Sequence, residues 1–391
     1  MKAPSAITRA HPAYVYFAAF AALGLVPAAL GPTLTALAAK TGTPLGDIGI
    51  LFTARSLGYL PGALLAGALL DRFPGHPLMA SALLLTVASL FLVPVTSHLW
   101  VLAALLLFAG FIGSVIDVGG NTLIVWVYRE EVGPFMNFLH FSYALGAFIS
   151  PLIVAQALIW TGGIRWAYWI LGLLMLPVAF VLFRAPSPPL QSTSARKASP
   201  PPRWSIVGLI LLFYLLYAGT EISFGGWIYT YAVNLNLASE TEAAYLTSGF
   251  WGAFMVGRLL AVPFAVRFDP RTLLFATLTG GLLLTFGLYL SAASPLWTTL
   301  CTIGLGLSMA SIFPSMLSFA QRHIAISGKV TGFFFVGASI GGMTLPWIIG
   351  RRFETTGPET LPLTLLITLS AALLILITLL FLGGRRLPVR G

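Results

Sequence analysis

The stretch APSPPLQSTSARKASPPPR, residues 185–203, organises the reading of everything around it. Its six prolines, with Arg196, Lys197 and Arg203, leave nothing that could bury a core, so it reads as a flexible linker. The sequence on either side is of another kind. The chain is 58% hydrophobic and 8% charged, whereas a soluble domain carries about 25% charged residues. A membrane-spanning helix needs about 20 apolar residues. Hydropathy marks six such runs before the linker and six after it, the first over 14–38 and the last over 361–383. The predicted architecture is an all-α membrane protein of twelve transmembrane helices. It has an N-terminal six-helix half over 1–184, the linker over 185–203 and a C-terminal six-helix half over 204–391.

The net charge of +10 could be taken for a nucleic-acid footprint, but its distribution argues against that. With the N-terminus inside, fifteen of the 21 Lys and Arg residues fall in cytoplasmic segments, four in outer loops, and two, Arg55 and Arg258, within spans. That is the positive-inside pattern. It predicts a multi-pass protein of the cytoplasmic membrane with both termini in the cytoplasm, partnered by the lipid bilayer and not by nucleic acid. Cys301 is the only cysteine, so neither an intramolecular disulfide nor a metal cluster is expected. The first apolar run is too long for a signal-peptide core and reads as helix 1.

The halves repeat. A shift of 195 residues superposes Gly24 on Gly219, Gly31 on Gly226, Gly62 on Gly257, Arg72 on Arg267, Gly146 on Gly341 and Pro151 on Pro346. These are positions where backbone geometry restricts the choice of residue. Two pseudo-symmetric six-helix bundles joined by a linker resemble the layout of the major facilitator superfamily, whose halves rock about a midplane site. The loop after helix 2 agrees, since the run from Gly67 through Asp71 and Arg72 to Gly75 and His76 resembles that superfamily's signature G-x-x-x-D-R-x-G-[RK]. Gly67 would allow close helix approach. Asp71 and Arg72 would act as conformational latches, with Arg258 and Arg267 in matching roles in the second half.

Asp117 is the only charged side chain between Trp100 and Val127. A charge at that depth costs roughly 2.5–3.5 kcal/mol on insertion scales. Ser114, Asp117 and Asn121 share a helix face. Arg55 lies about 24 Å above the inner surface and Asp117 about 18 Å, at 1.5 Å per residue, so an arginine side chain could pair with the acid. Pairing and desolvation act on the carboxylate in opposite directions, and the residues alone leave the balance open. Asn137, His140 and Tyr143 follow on helix 5. Glu221 is the only acid within the spans of the second half, close to Gly225-Gly226, where a gating bend is expected. Trp227 and Trp251 offer flat faces suited to stacking on a sugar ring.

Three segments together are similar to a narrower group. They are Asp117-Val-Gly-Gly-Asn121-Thr with Glu130 through Gly146, Glu221-Ile-Ser-Phe-Gly-Gly-Trp-Ile-Tyr-Thr-Tyr, and Phe250-Trp-Gly-Ala-Phe-Met-Val-Gly-Arg258. They resemble the fucose permease family, and more closely the related sodium-dependent glucose transporter-like group. That resemblance implies cation-coupled uptake of a monosaccharide, with the acid at Asp117 serving coupling. Helix 1 departs from the fucose permeases, offering Thr33 and Thr35 where they have an acid.

The expected function is a secondary transporter working as a monomer by symport of a monosaccharide or similar small polar solute with H⁺ or Na⁺, and without a cofactor. Asp117, Arg55 and Glu221 would couple the cation. Asn121, Asn137, His140, Tyr143, Trp227 and Trp251 would contact the solute. The alternative is an exporter of drugs or amphiphiles by antiport. No nucleophile–base constellation or phosphate loop suggests an enzyme.

Overall fold

The computed structural model describes residues 6–190, 203–290, 294–324 and 328–382. Residues 191–202 of the linker, including Arg196 and Lys197, lie outside the described residues. Among those described, every regular element is helical. The first half holds α1 (Ala6–Thr41), α2 (Leu45–Ile48), α3 (Ile50–Leu70), α4 (Gly75–Leu92), α5 (Leu99–Tyr128), α6 (Val132–Thr161) and α7 (Arg165–Arg184). The second holds α8 (Trp204–Asn234), α9 (Glu240–Arg267), α10 (Pro270–Leu290), α11 (Pro295–Met309), α12 (Ile312–Gln321), α13 (Gly328–Thr356) and α14 (Thr360–Leu382). They make 12 stretches long and apolar enough to cross a membrane, with α2–α3 and α11–α12 each counting as one. Helices suit this role because hydrocarbon offers no partner for a backbone N–H or C=O, and a helix satisfies both within itself.

Three of the four glycine pairs matched by the 195-residue shift, Gly24 with Gly219, Gly62 with Gly257 and Gly146 with Gly341, lie at tight helix crossings. A Cβ on Gly24 of α1 would sit 2.0 Å from the Tyr143 carbonyl of α6, and one on Gly146 of α6 would sit 1.9 Å from the Ala21 carbonyl of α1. Their counterparts, Gly219 of α8 and Gly341 of α13, meet each other in the same manner, with 1.9 Å between a Gly341 Cβ and the Leu215 carbonyl. Without a hydrophobic drive between helices in lipid, such small-residue contacts let backbones pack. The repeat is thus a repeat of crossings.

The chain forms two compact units. One comprises Met1–Pro44, Ala54–Thr193 and Glu240–Ser248, the other Leu45–Thr53, Ser194–Ser239 and Gly249–Gly391. The short segments 45–53 and 240–248 are themselves related by the 195-residue shift, so each repeat lends the same piece to the other unit. In the second unit Thr53 Oγ1 donates to the Met343 carbonyl at 2.6 Å, the Gly46 N–H donates to Glu354 at 3.0 Å, and Asp47 pairs with Arg351. In the first, Ser248 Oγ donates to the Phe148 carbonyl at 2.7 Å and Gln156 Nε2 to the Tyr245 hydroxyl at 2.7 Å.

Two sequence expectations about helix shape are corrected. At Gly225-Gly226, where the sequence suggests a bend, α8 is helical without interruption. Both glycines are notches instead: Gly225 receives Trp251, and Gly226 receives the Phe52 ring, 2.6 Å from where a Cβ would stand. The break falls at Ala310-Ser311 between α11 and α12, where Pro314 has no N–H to return to the Ala310 carbonyl. Gly67 has open space where its Cβ would be, so close helix approach does not explain that glycine. From these contacts, Gly341→Ala is expected to cost about 1–3 kcal/mol by forcing two backbones apart, read as a lower thermal midpoint of the purified protein. Gly67→Ala is expected to leave the midpoint unchanged.

Candidate functional site

Each unit sets one half-buried carboxylate among apolar helices, and in the first unit a glycine crossing brings a partner to it. In the first unit a Cβ on Gly110 of α5 would lie 1.9 Å from the Arg55 carbonyl of α3, and one on Gly58 of α3 would lie 1.9 Å from the Leu107 carbonyl of α5. That contact sets Tyr59 beside Asp117. The Tyr59 hydroxyl donates to Asp117 Oδ2 at 2.5 Å, and Asn121 Nδ2 donates to Oδ1 at 2.8 Å and to the Asp117 carbonyl at 3.0 Å. Arg55 acts on Asp117 through its field, without an ion pair closed to 4 Å among the described residues. It also borders a small cavity of about 10 Å³ with Thr86, Gly113 and Ile116, at the lower limit for one water. Tyr143 of α6 is close enough to Tyr59 to interact electrostatically.

The second unit repeats this chemistry with different helices. Tyr217 and Glu221 lie one turn apart on α8, with the hydroxyl 2.5 Å from Glu221 Oε2 and 2.7 Å from the Met309 carbonyl at the end of α11. Arg258 of α9 acts electrostatically on both Tyr217 and Glu221. Its guanidinium stacks over the Phe254 ring at 4.9 Å, a favourable cation–π placement. An acid, a tyrosine and an arginine thus form a group in each unit.

The other anticipated site residues fall in varied settings. Ser114 is buried and bonds the Phe111 carbonyl of its own helix at 2.6 Å. His140 meets the Phe20 ring edge-on at 6.0 Å, and Phe20 in turn fills the notch at Gly120, so His140 reaches α5 through that ring. Asn137 is exposed. Trp251 is buried against Phe250 and Phe254, and its indole N–H has no hydrogen-bond partner among the described residues. Trp227 is fully buried, stacks on Phe353 at 5.4 Å and donates to the Pro346 carbonyl at 3.0 Å, so in this structure it packs within its own unit.

Asp71, Arg72 and Arg267 are exposed at helix ends. The histidine of that motif is not: His76 is buried, 2.7 Å from the Tyr16 hydroxyl and 3.2 Å from the Ala185 carbonyl, tying α1 and α4 to the start of the linker. In the second half the matching loop pairs Asp269 with Arg322 at 2.8 Å. The residues missed in the sequence are Tyr59 and Tyr217. A signal existed, since Tyr59 follows Arg55 by four and Tyr217 precedes Glu221 by four, and such pairs share a helix face.

The architecture and the sequence have known counterparts. The family model described as Major Facilitator Superfamily matches residues 14–346. Sodium-dependent glucose transporter 1A of Mus musculus is 31% identical over 85% of this chain and 88% of its own length. Sodium-dependent glucose transporter 1 of Xenopus laevis is 33% identical over 83% and 72%. Among solved structures, a bacterial homolog of the human lysosomal transporter Spinster superposes with a TM-score of 0.74 over 98% of both chains at 12% identity, a likeness of fold alone. The chain is a transporter of the major facilitator superfamily, in the group that holds the sodium-dependent glucose transporter 1 proteins.

Proposed function

We propose that this transporter carries a monosaccharide or a similar small polar solute by symport with H⁺ or Na⁺, through alternating access of its two halves. The observation that carries the reading is the acid–tyrosine–arginine group in each unit, placed in helices that otherwise hold almost no charge. A buried charge is expensive, so two such groups speak for a role in binding a cation. The solute class is supported by the relatives named for glucose transport and by the amide, imidazole and phenol groups on α5 and α6. Asn121, His140 and Tyr143 are the side chains assigned to solute contact in the first unit, with Trp251 in the second. The basic residues near the helix ends support a cytoplasmic-membrane protein with both termini in the cytoplasm, and we read it as acting as a monomer.

Symport requires solute and cation to favour the same state of the protein, so that each raises the affinity for the other. Asp117 is assigned the central part because its Oδ2 takes the Tyr59 hydroxyl across from α3 while its Oδ1 takes Asn121 one turn on along α5. Asparagine there keeps one acceptor oxygen and turns the other into an amide donor, so one of Tyr59 and Asn121 loses its acceptor, and a hydrogen bond to a charged group is worth about 1.5–3 kcal/mol. In proteoliposomes, Asp117→Asn is expected to lower gradient-driven accumulation of the solute by about tenfold or more while retaining exchange without a gradient. Undiminished accumulation would remove Asp117 from the coupling role. A thermal-shift series of monosaccharides with and without Na⁺ identifies the ligands, because a solute that binds the folded state at 100 times its Kd adds about 2.7 kcal/mol of stability. Stabilisation by amphiphilic drugs and by no sugar would favour an exporter instead.

A further inference from the structure

The two half-buried acids differ in how many hydrogens their surroundings supply. Around Asp117 each donor has a place, since Tyr59 gives its one hydrogen to Oδ2 and Asn121 gives one to Oδ1. An ionised carboxylate, acceptor only, satisfies that arrangement. Around Glu221 the count fails for the ionised form. The Tyr217 hydroxyl is 2.5 Å from Glu221 Oε2 and 2.7 Å from the Met309 carbonyl oxygen. It has one hydrogen to donate, a carbonyl can only accept, and an ionised carboxylate can only accept. One of the two short oxygen–oxygen contacts would then have no hydrogen in it. Both distances are those of real O–H···O bonds, and hydrogen positions follow from completing such a network.

We infer that Glu221 carries a proton in this structure and that Tyr217 relays its protonation state to the break between α11 and α12. The acid O–H donates to Tyr217 Oη, and Tyr217 donates to Met309. When Glu221 gives its proton to water, the Tyr217 hydroxyl turns about its C–O bond to donate to the new carboxylate. The Met309 carbonyl then loses its donor. No covalent bond other than the acid O–H is broken, and the only proton released is that of Glu221.

The surroundings agree. Met309 is the last residue of α11, and Tyr214, three residues before Tyr217 on α8, donates to the Phe313 carbonyl of α12 at 3.0 Å. The two tyrosines therefore hold the chain on both sides of the break, and only the one at Met309 also touches an acid. Arg258, the cation facing Glu221, lies over Phe254 and closes no ion pair with the carboxyl among the described residues. The titratable and charged groups acting on Glu221 are Tyr217 on its own helix and Arg258 on α9, with Tyr214 acting in turn on Tyr217. At the neighbouring positions of α8, α13 brings Gly341 and Leu345 against Gly219 and α14 brings Thr368 against Thr220, none of them titratable.

This deepens the coupling proposed above and rests on it only for the consequence that a proton is among the transported cations. The test needs neither solute nor gradient, so it stands apart from the sugar reading. Infrared difference spectroscopy of the purified full chain at neutral pH is expected to show the C=O stretch of a protonated carboxylic acid that disappears in Glu221→Gln and persists in Asp117→Asn. In Tyr217→Phe the band is expected to shift, because its hydrogen-bond acceptor is gone. A spectrum unaltered by Glu221→Gln overturns the inference. Should that variant not fold, an unshifted band in Tyr217→Phe overturns it alone.

Discussion

A carboxylate placed among apolar helices must be supplied with donors or with a proton, and most of what is distinctive in this molecule follows from meeting that demand twice. The donors sit on other turns or other helices, so the helices must approach closely at the right level. Glycines provide the approach. Where Gly58 and Gly110 let α3 and α5 touch, Tyr59 reaches Asp117. At the Gly219–Gly341 crossing α8 is pinned to α13, and α8 carries Tyr217 and Glu221. The Asp117 group depends on a backbone contact that no longer side chain would allow.

The internal repeat extends this economy without copying the site. The crossings recur at a constant offset, and so does the exchange of segments 45–53 and 240–248 between units. The acids do not recur. Asp117 is on α5 and meets a tyrosine from another helix, whereas Glu221 is on α8 and meets one from its own. A duplicated frame has acquired two different acid groups, and the difference in hydrogen supply around them is what allows one to be ionised and the other protonated.

The fold was legible in the sequence because apolar length and the linker at 185–203 are coarse, local signals. The repeat was legible through glycine and proline, whose backbone constraints survive when apolar side chains interchange. The acids stood out because charge is scarce in the spans. Their partners did not. Tyr59 and Tyr217 are amphipathic and common in membrane helices, and nothing but i, i+4 spacing set them apart from packing residues such as Tyr214. Gly225 and Gly226 suggest a hinge in the sequence because glycine weakens helices. Their actual use, as seats for Trp251 and Phe52, depends on neighbours distant in sequence. Trp227 was read as a stacking surface, and the same limitation applied, since Phe353 and the Pro346 carbonyl that cover it are far along the chain. Single residues announce their cost, whereas their compensation lies in tertiary contacts.

The central claim is that buried acids make solute movement depend on a cation. It is tested most directly by loading purified protein into liposomes, imposing an inward H⁺ or Na⁺ gradient and following a labelled monosaccharide. The account expects accumulation above the outside concentration that collapses when an ionophore dissipates the gradient. Equilibration to the outside level, whatever the gradient, would contradict it.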